Sequence, residues 1–285
     1  MFKIVSRRDL APNITEMRVE APLVAASALP GQFVIVRVDE ESERIPLTIC
    51  DYDPEAGTVT IVTQSVGYSS QKINSLAEGD CFLDFTGPLG RPSDLIDIDP
   101  EKLRDMKILF VAGGVGTAPV YPQAKWLHEH GVTPEVIIGA RSKDLFTYVD
   151  EMEKVAEVHL ATDDGSAGYH GLVTGLIRKL IDEEGRHYDH CVIIGPMIMM
   201  KFAAMTTKEY EIPTMVSLNA LMVDGTGMCG ACRVTVDGRT RFTCVEGPEF
   251  DGHKVDFDEA MRRQNMYREN PKTKRNLNHK CTCHG

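Results

Sequence analysis

Four potential ligand residues stand close together in the last quarter of the chain, and their spacing limits what this region can fold into. Asp224, Cys229, Cys232 and Cys244 form the pattern Asp-x4-Cys-x2-Cys-x11-Cys. Plant-type [2Fe-2S] sites have the spacing Cys-x4-Cys-x2-Cys with a distant fourth cysteine, so here a carboxylate stands at the first position. The pattern predicts a loop wrapped around an iron-sulfur cluster.

The residues around these ligands suit such a loop. Gly225, Gly227 and Gly230 allow the left-handed turns and the close backbone approach that a cluster requires. Two short alternating segments follow, RVTV and RTRFT, separated by Asp237-Gly238, a dipeptide typical of tight hairpins. We expect the hairpin to bring Cys244 back beside the loop.

Other interpretations of the ligand set stay open. A structural zinc site also uses Cys-x2-Cys, although it usually takes a second close pair, which is missing here, and uncoordinated cysteines are a further alternative. Asp224 is either the fourth ligand or a solvated turn residue. In the second case the fourth ligand comes from the remaining cysteines, which are Cys50, Cys81, Cys191, Cys281 and Cys283.

Composition narrows the class of protein. The chain has 285 residues, enough for two or three compact units, and its 42% hydrophobic and 26% charged residues are ordinary for a globular protein. A net charge of −11 argues against nucleic acid or an anionic membrane as the main partner. With no signal peptide pattern and no long apolar run, we expect a cytoplasmic protein in which clustered cysteines serve metal chemistry rather than disulfides.

The patterning predicts a β-barrel plus an α/β fold. Residues 1–98 alternate in short segments such as QFVIVRV and TVTIVTQS, which predicts an antiparallel barrel. Residues 99–215 alternate strands and helices, which predicts a parallel-sheet domain with helices after Thr117, near Val149, over Leu172–Glu184 and over Met199–Tyr210. Residues 216–260 form the cluster-binding section, and a polar tail covers 261–285.

Glycine-rich turns at the strand ends of the second section predict a nucleotide site. Strand KILFVA runs into GGVGTAP, where Gly114 and Gly116 let a pyrophosphate approach the start of the next helix. Pro119 replaces the third glycine of the Rossmann fingerprint, so a simple tight turn is the alternative. The candidate contacts in this loop are Gly114, Gly116, Thr117, Ala118 and Pro119.

Three further strand ends carry candidate nucleotide contacts, because ligands bind at the carboxyl edge of such a sheet. Arg141 follows EVIIGA and taken alone favours the 2′-phosphate of NADP. The loop ATDDGSAG contributes Asp163 and Asp164. The segment IIGPMIMM contributes Gly195, Pro196 and Met197, and its methionines are alternatively core residues.

In the barrel section, two polar turns are candidates for flavin contacts. They are the segment RIPLT, with Arg44, Pro46, Leu47 and Thr48, and the segment VGYSS, with Gly67, Ser69 and Ser70. A hydroxyl beside a flavin ring can hydrogen-bond its reactive nitrogen, and a glycine-rich turn can hold a pyrophosphate. From the residues alone, ordinary turns of a β-domain are the preferred interpretation.

The order RIPLT, VGYSS, GPLG, GGVGTAP, TDDGSAGYHG, GPMIMM and the ligand pattern, up to about Asp258, resembles the ferredoxin-NADP reductase superfamily. Within it, the chain is similar to the flavin and iron-sulfur subunits of dihydroorotate dehydrogenase and of ferredoxin:NADP+ oxidoreductases. The resemblance implies FAD, NAD(H) and a [2Fe-2S] cluster. It places Thr48 at the flavin ring as the catalytic hydroxyl, Ser70 at its pyrophosphate and Asp224, Cys229, Cys232 and Cys244 on the cluster.

Some positions depart from that pattern. Arg44 is one residue away from the arginine of the flavin motif, and Ile194 replaces the cysteine often found before Gly-Pro. Arg141 favours NADP, whereas the resemblance implies NADH, and an arginine can also stack on adenine. Dihydroorotate-type subunits have cysteine where this chain has Asp224, so Asp224 favours the ferredoxin:NADP+ type.

The resulting hypothesis is an electron-transfer flavoprotein subunit of a heterodimer. Electrons pass from NADH through FAD and the cluster to a larger partner subunit, or in reverse, as the resemblance to electron-bifurcating oxidoreductases implies. Alternatives are the electron-transfer subunit of dihydroorotate dehydrogenase B, a sulfide or polysulfide reductase, and a non-enzymatic redox sensor. The terminal Cys281, Cys283 and His284 form a further possible metal-binding tract, for which a mobile tail is the preferred interpretation.

Overall fold

The computed structural model describes residues 1–266, which begin with a nearly closed antiparallel barrel. Its seven strands are hydrogen-bonded in the order β6-β1-β2-β5-β4-β3-β7. They are β1 (Phe2–Ala11), β2 (Ile14–Glu20), β3 (Phe33–Arg37), β4 (Ile45–Asp53), β5 (Thr58–Gln64), β6 (Cys81–Phe82) and β7 (Asp84–Leu89), with helices α1 (Pro22–Ala25) and α2 (Tyr68–Asn74) between them.

Strand β3 shows why this part of the sequence is apolar without interruption. Val34 and Val36 point into the barrel core. Phe33 and Ile35 point the other way, into a second apolar cluster that contains Cys232 and Cys244. Because successive side chains of a strand alternate between its two faces, a strand buried on both faces reads as a continuous apolar run.

The second part is a mainly parallel sheet with helices packed against it. Its strands lie in the order β11-β10-β9-β8-β12-β13-β16, in which the edge strand β16 comprises Glu249–Asp251. The parallel strands are β8 (Ile108–Gly113), β9 (Glu135–Ala140), β10 (Glu157–Thr162), β11 (Tyr169–His170), β12 (His190–Ile194) and β13 (Thr214–Ser217). The helices are α3 (Pro100–Asp105), α4 (Thr117–Glu129), α5 (Val149–Met152), α6 (Val173–Arg178, continued by a π-helical turn to Glu183) and α7 (Met197–Glu209).

The strand order creates a crevice between β8 and β12. From β8 the chain adds β9 and β10 on one side, and it later adds β12 and β13 on the other side. In open sheets of this kind the ligand crevice opens at the carboxyl ends of the two strands where the direction of winding reverses. Gly113 ends β8 and Gly195 follows β12, so these glycines form the two sides of the crevice.

The third part contains the hairpin that the Asp237-Gly238 dipeptide predicted. Strands β14 (Arg233–Val236) and β15 (Arg239–Phe242) pair antiparallel, and Asp237 and Gly238 have φ values of 53° and 68°. Helix α8 (Thr243–Glu246) and strand β16 (Glu249–Asp251) follow. Strand β16 pairs antiparallel with β13, so the cluster-binding section contributes the edge strand of the nucleotide-binding sheet.

Helix α9 (Phe257–Gln264) corrects the expected start of the polar tail at residue 261. Asp256 caps the helix by accepting a hydrogen bond from the Glu259 N–H at 2.8 Å. Arg263 donates to the Ala231 carbonyl at 3.1 Å, which ties the helix to the cluster loop. The tract with Cys281, Cys283 and His284 lies outside the described residues.

Polar contacts join the barrel to the sheet. Lys125 of α4 and Asp51 of β4 form an ion pair of 2.9 Å. Arg8 of β1 bridges Glu16 of β2 and Glu151 of α5, also at 2.9 Å each. Across residues 1–266, every helix is too short or too polar to cross a membrane.

Candidate functional site

The loop between β13 and β14 lies directly on the outer face of the barrel strands β3 and β7. Gly225, Gly227 and Gly230 all have positive φ values, of 83°, 86° and 66°. A Cβ on Gly225 would come within 2.6 Å of Ile35 Cδ1 and 2.9 Å of Leu89 Cδ1. Glycine is therefore required at this position both for backbone conformation and for contact with the barrel.

The hairpin brings two of the predicted cysteine ligands together. Cys232 and Cys244 are buried, and their Sγ atoms lie 3.3 Å apart. The Cys244 N–H donates to the Cys232 Sγ at 3.4 Å, and Thr243 Oγ1 donates to the Cys232 carbonyl at 2.8 Å. Cys229 is exposed, and its Sγ accepts from the Ala231 N–H at 3.5 Å. The thiols thus receive the backbone N–H donors that stabilise a cluster's sulfur ligands.

Asp224 orders the same loop through its carboxylate. Its oxygens accept hydrogen bonds from the N–H of Thr226 and, at 2.6 Å, from the N–H of Cys229. These donors lower the pKa of Asp224 to about 2, so the group is an anion at neutral pH. Burial raises the pKa of Cys244 to about 12, and a bound metal would therefore be needed to hold that thiol as a thiolate. An anionic carboxylate and two thiols in one loop, with a third thiol returned by the hairpin, suit an iron-sulfur cluster.

Other cysteines in residues 1–266 lie in different parts of the core. Cys50 is buried with Ala118 and Tyr148 between the barrel and the sheet. Cys191 lies in the core of the sheet, and Cys81 lies on β6 opposite Lys3. None of the three belongs to the apolar cluster around Cys232 and Cys244, whereas Asp224 accepts a hydrogen bond from the Cys229 N–H and so belongs to the cluster loop itself.

The proposed flavin-contacting segment of β4 adjoins the cluster loop through β3. Pro46, Leu47 and Thr48 are partly exposed, and Thr48 pairs with Phe33 across the two strands. Phe33 packs into the apolar cluster with Cys232. A ligand bound at Thr48 would therefore lie one strand away from the side chains that enclose the cysteines.

Arg44 contacts the cluster loop rather than an open groove. Its Nε donates to the Val223 carbonyl at 2.8 Å, and its Nη1 lies 3.8 Å from the Asp84 carboxylate. Val223 directly precedes Asp224. The structure therefore gives Arg44 a role in holding the loop, which the sequence alone did not indicate.

The VGYSS segment forms the start of α2. Gly67 precedes the helix, and Ser70 Oγ accepts hydrogen bonds from the Val66 and Gly67 N–H groups at 2.9 Å each. Ser69 donates to Glu43. Val66 and Tyr68 are 80% and 68% exposed, so apolar side chains surround the segment where a flavin nucleotide is expected.

The GGVGTAP loop joins β8 to α4 at the crevice. Gly114 has a φ of 55°, and Thr117 Oγ1 donates to the Gly114 carbonyl at 2.9 Å. A Cβ on Gly116 would overlap the carbonyl oxygen of Ile194 on β12. Ala118 is buried, and Pro119 occupies the first turn of α4. The loop leaves the start of α4 facing the crevice, as an anion site at a helix start requires.

Arg141, Asp163 and Asp164 lie on adjoining loops at the same edge of the sheet, and all three are exposed. The Asp164 N–H donates to the Arg141 carbonyl at 3.1 Å. Ser166 connects the loops further, because its Oγ accepts from the Lys143 N–H at 2.8 Å. The two loops that carry these predicted nucleotide contacts therefore adjoin each other.

After β12, Gly195 and Pro196 lie at the crevice, whereas Met197, the first residue of α7, is buried in the core of the sheet domain. The side chain that covers the glycines is Met199. A Cβ on Gly195 would come within 2.6 Å of Met199 Cε, and a Cβ on Gly113 would overlap Met199 Sδ. The sequence predicted Met197, and not Met199, as the contact. The one signal for Met199 was its position in the first turn of the helix that begins after Pro196.

Comparison with known proteins supports this organisation. Residues 219–256 match the family model described as the iron-sulfur cluster binding domain of dihydroorotate dehydrogenase B. A Thermotoga maritima protein named dihydroorotate dehydrogenase B (NAD(+)), electron transfer subunit homolog is 46% identical over 270 residues, covering 95% of this chain and 93% of that protein. The chain belongs to this family of electron transfer subunits. The predicted iron-sulfur domain is thereby confirmed.

Solved structures also resemble the chain over much of its length. A structure of an NADH-dependent reduced ferredoxin-NADP oxidoreductase is 43% identical, with a TM-score of 0.86 and 96% coverage of both chains. A ferredoxin reductase of carbazole 1,9a-dioxygenase is 17% identical, with a TM-score of 0.61, and covers 74% of this chain and 65% of that one. The predicted barrel and parallel-sheet fold is confirmed, and the chain is an oxidoreductase-family electron transfer subunit.

Proposed function

We propose that this chain carries electrons between NAD(H), FAD and a [2Fe-2S] cluster, and exchanges them with a larger partner subunit in an oxidoreductase that links NADH, ferredoxin and NADP+. The observation that carries the proposal is the pairing of Asp224 with three cysteines in a chain that is 43% identical to an NADH-dependent reduced ferredoxin-NADP oxidoreductase structure over 96% of its length. We further propose a cytoplasmic location.

Asp224, Cys229, Cys232 and Cys244 would hold the cluster, whose chemistry is the transfer of single electrons. The chain's part is to exclude water and to fix the ligands. Cys232 and Cys244 are buried against Phe33 and Ile35 of the barrel. Cys229 is exposed, and Met228 beside it is 89% exposed, so the other side of the loop is open to a partner.

FAD would bind along the barrel with its ring at Thr48 and its pyrophosphate near Ser70. The Thr48 hydroxyl would hydrogen-bond the ring nitrogen that accepts a hydride. Pro46 and Leu47, partly exposed on the same strand, would contact the ring. Gly67 and Ser69 would lie beside the phosphates.

NAD(H) would enter the crevice between β8 and β12. Gly114–Pro119 would lie beside its phosphates at the start of α4, where N–H groups and the helix dipole favour anions. Arg141, Asp163 and Asp164 would contact the adenosine half, and Gly195 and Pro196 the nicotinamide half. The Lys125–Asp51 ion pair joins α4, which begins at the crevice, to β4 of the barrel.

A second candidate function is the electron transfer subunit of dihydroorotate dehydrogenase B. It is favoured by the family model over residues 219–256 and by the name of the Thermotoga relative. The two functions differ in the partner: the second requires a subunit that oxidises dihydroorotate. Asp224 in place of a cysteine favours the first.

Anaerobic co-purification of the full chain with its partner tests the proposal. We expect one FAD, two iron and two sulfide per chain, a larger flavin-containing subunit, and bleaching of the flavin absorbance by NADH. Reduction by dihydroorotate would support the second candidate. A preparation with neither flavin nor iron would contradict both.

A further inference from the structure

A single carboxylate in residues 1–266 is buried, and it lies next to the cluster-binding section. Glu249, the first residue of β16, is 8% exposed. Its Oε1 accepts a hydrogen bond of 2.6 Å from Gln123 Nε2 on α4. Its Oε2 has no hydrogen-bond partner in the structure. A buried carboxylate with one unsatisfied oxygen is costly, and this favours the protonated form.

Within residues 1–266, the groups identified at the Glu249 carboxyl are Gln123, Gly31, Ser93 and the like charge of Asp94. The loop before β3 contributes Gly31, and a Cβ there would come within 3.3 Å of Glu249 Oε1. The segment after β7 contributes Ser93, whose Oγ lies near the carboxyl without a hydrogen-bond partner of its own, and Asp94, a like charge. Strand β13 contributes Ser217, the register partner of Glu249. Burial, followed by Asp94, raises the pKa of Glu249 to about 7.

A further titratable group of the described residues lies beside Asp94. His190 at the start of β12 lies 3.8 Å from Asp94, and burial lowers its pKa. It is therefore mostly neutral at pH 7 and supplies little positive charge to Asp94. The pKa of Glu249 is therefore near neutral pH, and its described neighbours are neutral polar groups and the exposed carboxylate of Asp94.

Short segments connect Glu249 to the cysteines without making it a ligand. Gly247 and Pro248 link α8, which carries Cys244, to Glu249. Both are fixed, because the Arg91 N–H donates to the Gly247 carbonyl at 2.7 Å and the Leu218 N–H donates to the Pro248 carbonyl at 2.9 Å. From the barrel side, Gly31 touches Glu249, and two residues later Phe33 packs with Cys244.

An added electron in this region must change the proton affinity of such a group. A unit charge roughly 10 Å away, in a medium with an effective dielectric constant of about 20, changes a proton affinity by about tenfold. The effect is largest for a group that is buried, without a compensating cation and already close to half-protonated. Glu249 meets all of these conditions.

We infer that Glu249 couples proton uptake to electron transfer: its protonated fraction rises when an electron reaches the cluster loop and falls when the electron leaves. The inference rests on the proposed function. In the balanced step, NADH would be the source of the electron, a proton from solvent would form an O–H bond at Glu249 Oε2, and both would leave on oxidation. Glu249 would act on the cluster through its charge and is not one of the proposed ligands.

A hydroxyl that could relay the proton stands on the barrel side. Ser93 is 1% exposed and lies beside the carboxyl, whereas the side chain of the next residue, Asp94, is 52% exposed. A hydroxyl can both accept and donate a proton, so Ser93 can connect Glu249 with solvent at Asp94.

The test is the midpoint potential of the cluster, followed by electron paramagnetic resonance in the anaerobic, cofactor-loaded complex between pH 6 and pH 8. In the wild type we expect the potential to fall with rising pH by up to ~30 mV per unit, because a tenfold change in proton affinity alters the protonated fraction by about half and one whole proton corresponds to ~59 mV. Glu249→Gln should make it independent of pH. Asp251→Asn is the matched control on the same strand, and it should keep the wild-type slope, because Lys254 and the His253 N–H hold the pKa of Asp251 low.

A second readout observes the carboxyl itself. The infrared difference spectrum between reduced and oxidised protein should show a protonated carboxyl band in the wild type and in Asp251→Asn, and not in Glu249→Gln. A wild-type midpoint potential that does not change with pH would overturn the inference and leave the proposed function standing. This measurement needs no variant. A slope unchanged in Glu249→Gln would do the same. A complex with no cluster signal would overturn the proposed function and the inference with it.

Discussion

The Sγ atoms of Cys232 and Cys244 lie 3.3 Å apart, although eleven residues separate them in the sequence. The β14–β15 hairpin closes that distance, and Phe33 and Ile35 of the barrel cover both thiols. The cluster-binding section is therefore built on the barrel, and it also supplies β16 to the nucleotide-binding sheet. Sites predicted for three cofactors share one continuous framework.

Removal of a buried thiol should abolish the cluster. Cys232→Ser should lower the iron content to near zero, because a serine hydroxyl is a poor substitute for a thiolate ligand. Cys81→Ser on β6 is the control and should retain iron at the wild-type level. Iron and acid-labile sulfide analysis measures both. Equal iron loss in the two variants would indicate a general folding defect instead.

Asp224 should affect the cluster both as a ligand and as the acceptor of two backbone N–H groups. Asp224→Cys should retain iron while shifting the visible spectrum and the potential, because a thiolate replaces a carboxylate. Asp224→Ala should lose most of the iron, since the Thr226 and Cys229 N–H groups lose their acceptor. An unchanged spectrum in Asp224→Cys would remove Asp224 from the ligand set.

A side chain at Gly116 should disturb the crevice. Gly116→Ala forces a Cβ against the Ile194 carbonyl, a backbone atom of β12 that cannot move aside. We expect a loss of about 1–3 kcal/mol in the free energy of unfolding and weaker NAD+ binding. Urea unfolding and nucleotide titration measure the two effects. At Gly67 a Cβ meets no atom within 4 Å, so Gly67→Ala should change stability by less than about 1 kcal/mol.

The buried carboxyl of Glu249 predicts a pH dependence of stability. Its pKa rises from 4.5 to about 7 on folding, so between these values the folded protein keeps a proton that the unfolded chain has lost. Stability is therefore lost as the pH rises through this interval, by about 2–4 kcal/mol from this group, and stays level above it. Glu249→Gln should remove that loss. Urea unfolding at pH 5 and pH 8 measures the effect. The free energy of unfolding of the variant, relative to the wild type, should be higher at pH 8 than at pH 5. An equal difference at both pH values would contradict the assignment.

Local patterns in the sequence predicted much of the fold. The Asp237-Gly238 turn, the glycine-rich loop after β8 and the alternating strands of the barrel each depend on neighbouring residues, and the structure contains all three. The ligand spacing likewise predicted the loop that holds Cys229 and Cys232. These features follow from backbone geometry within a few residues.

Features that depend on distant partners could not be predicted in this way. Gln123 and Glu249 are 126 positions apart, and Arg44 donates to a carbonyl 179 positions away. The pairing of β16 with β13 and the continuation of α9 beyond residue 261 also depend on tertiary packing. In the sequence, the residues that make such contacts look like ordinary surface or strand residues, because nothing near them in the chain indicates the distant partner.

The most direct test of the proposed function is an anaerobic titration of the purified, cofactor-loaded chain with NADH, followed by absorbance and electron paramagnetic resonance. We predict that NADH bleaches the flavin band and produces the signal of a reduced [2Fe-2S] cluster, and that Cys232→Ser keeps the bleaching but loses the signal. An intact chain with bound flavin and iron that shows neither change on addition of NADH would contradict the proposal.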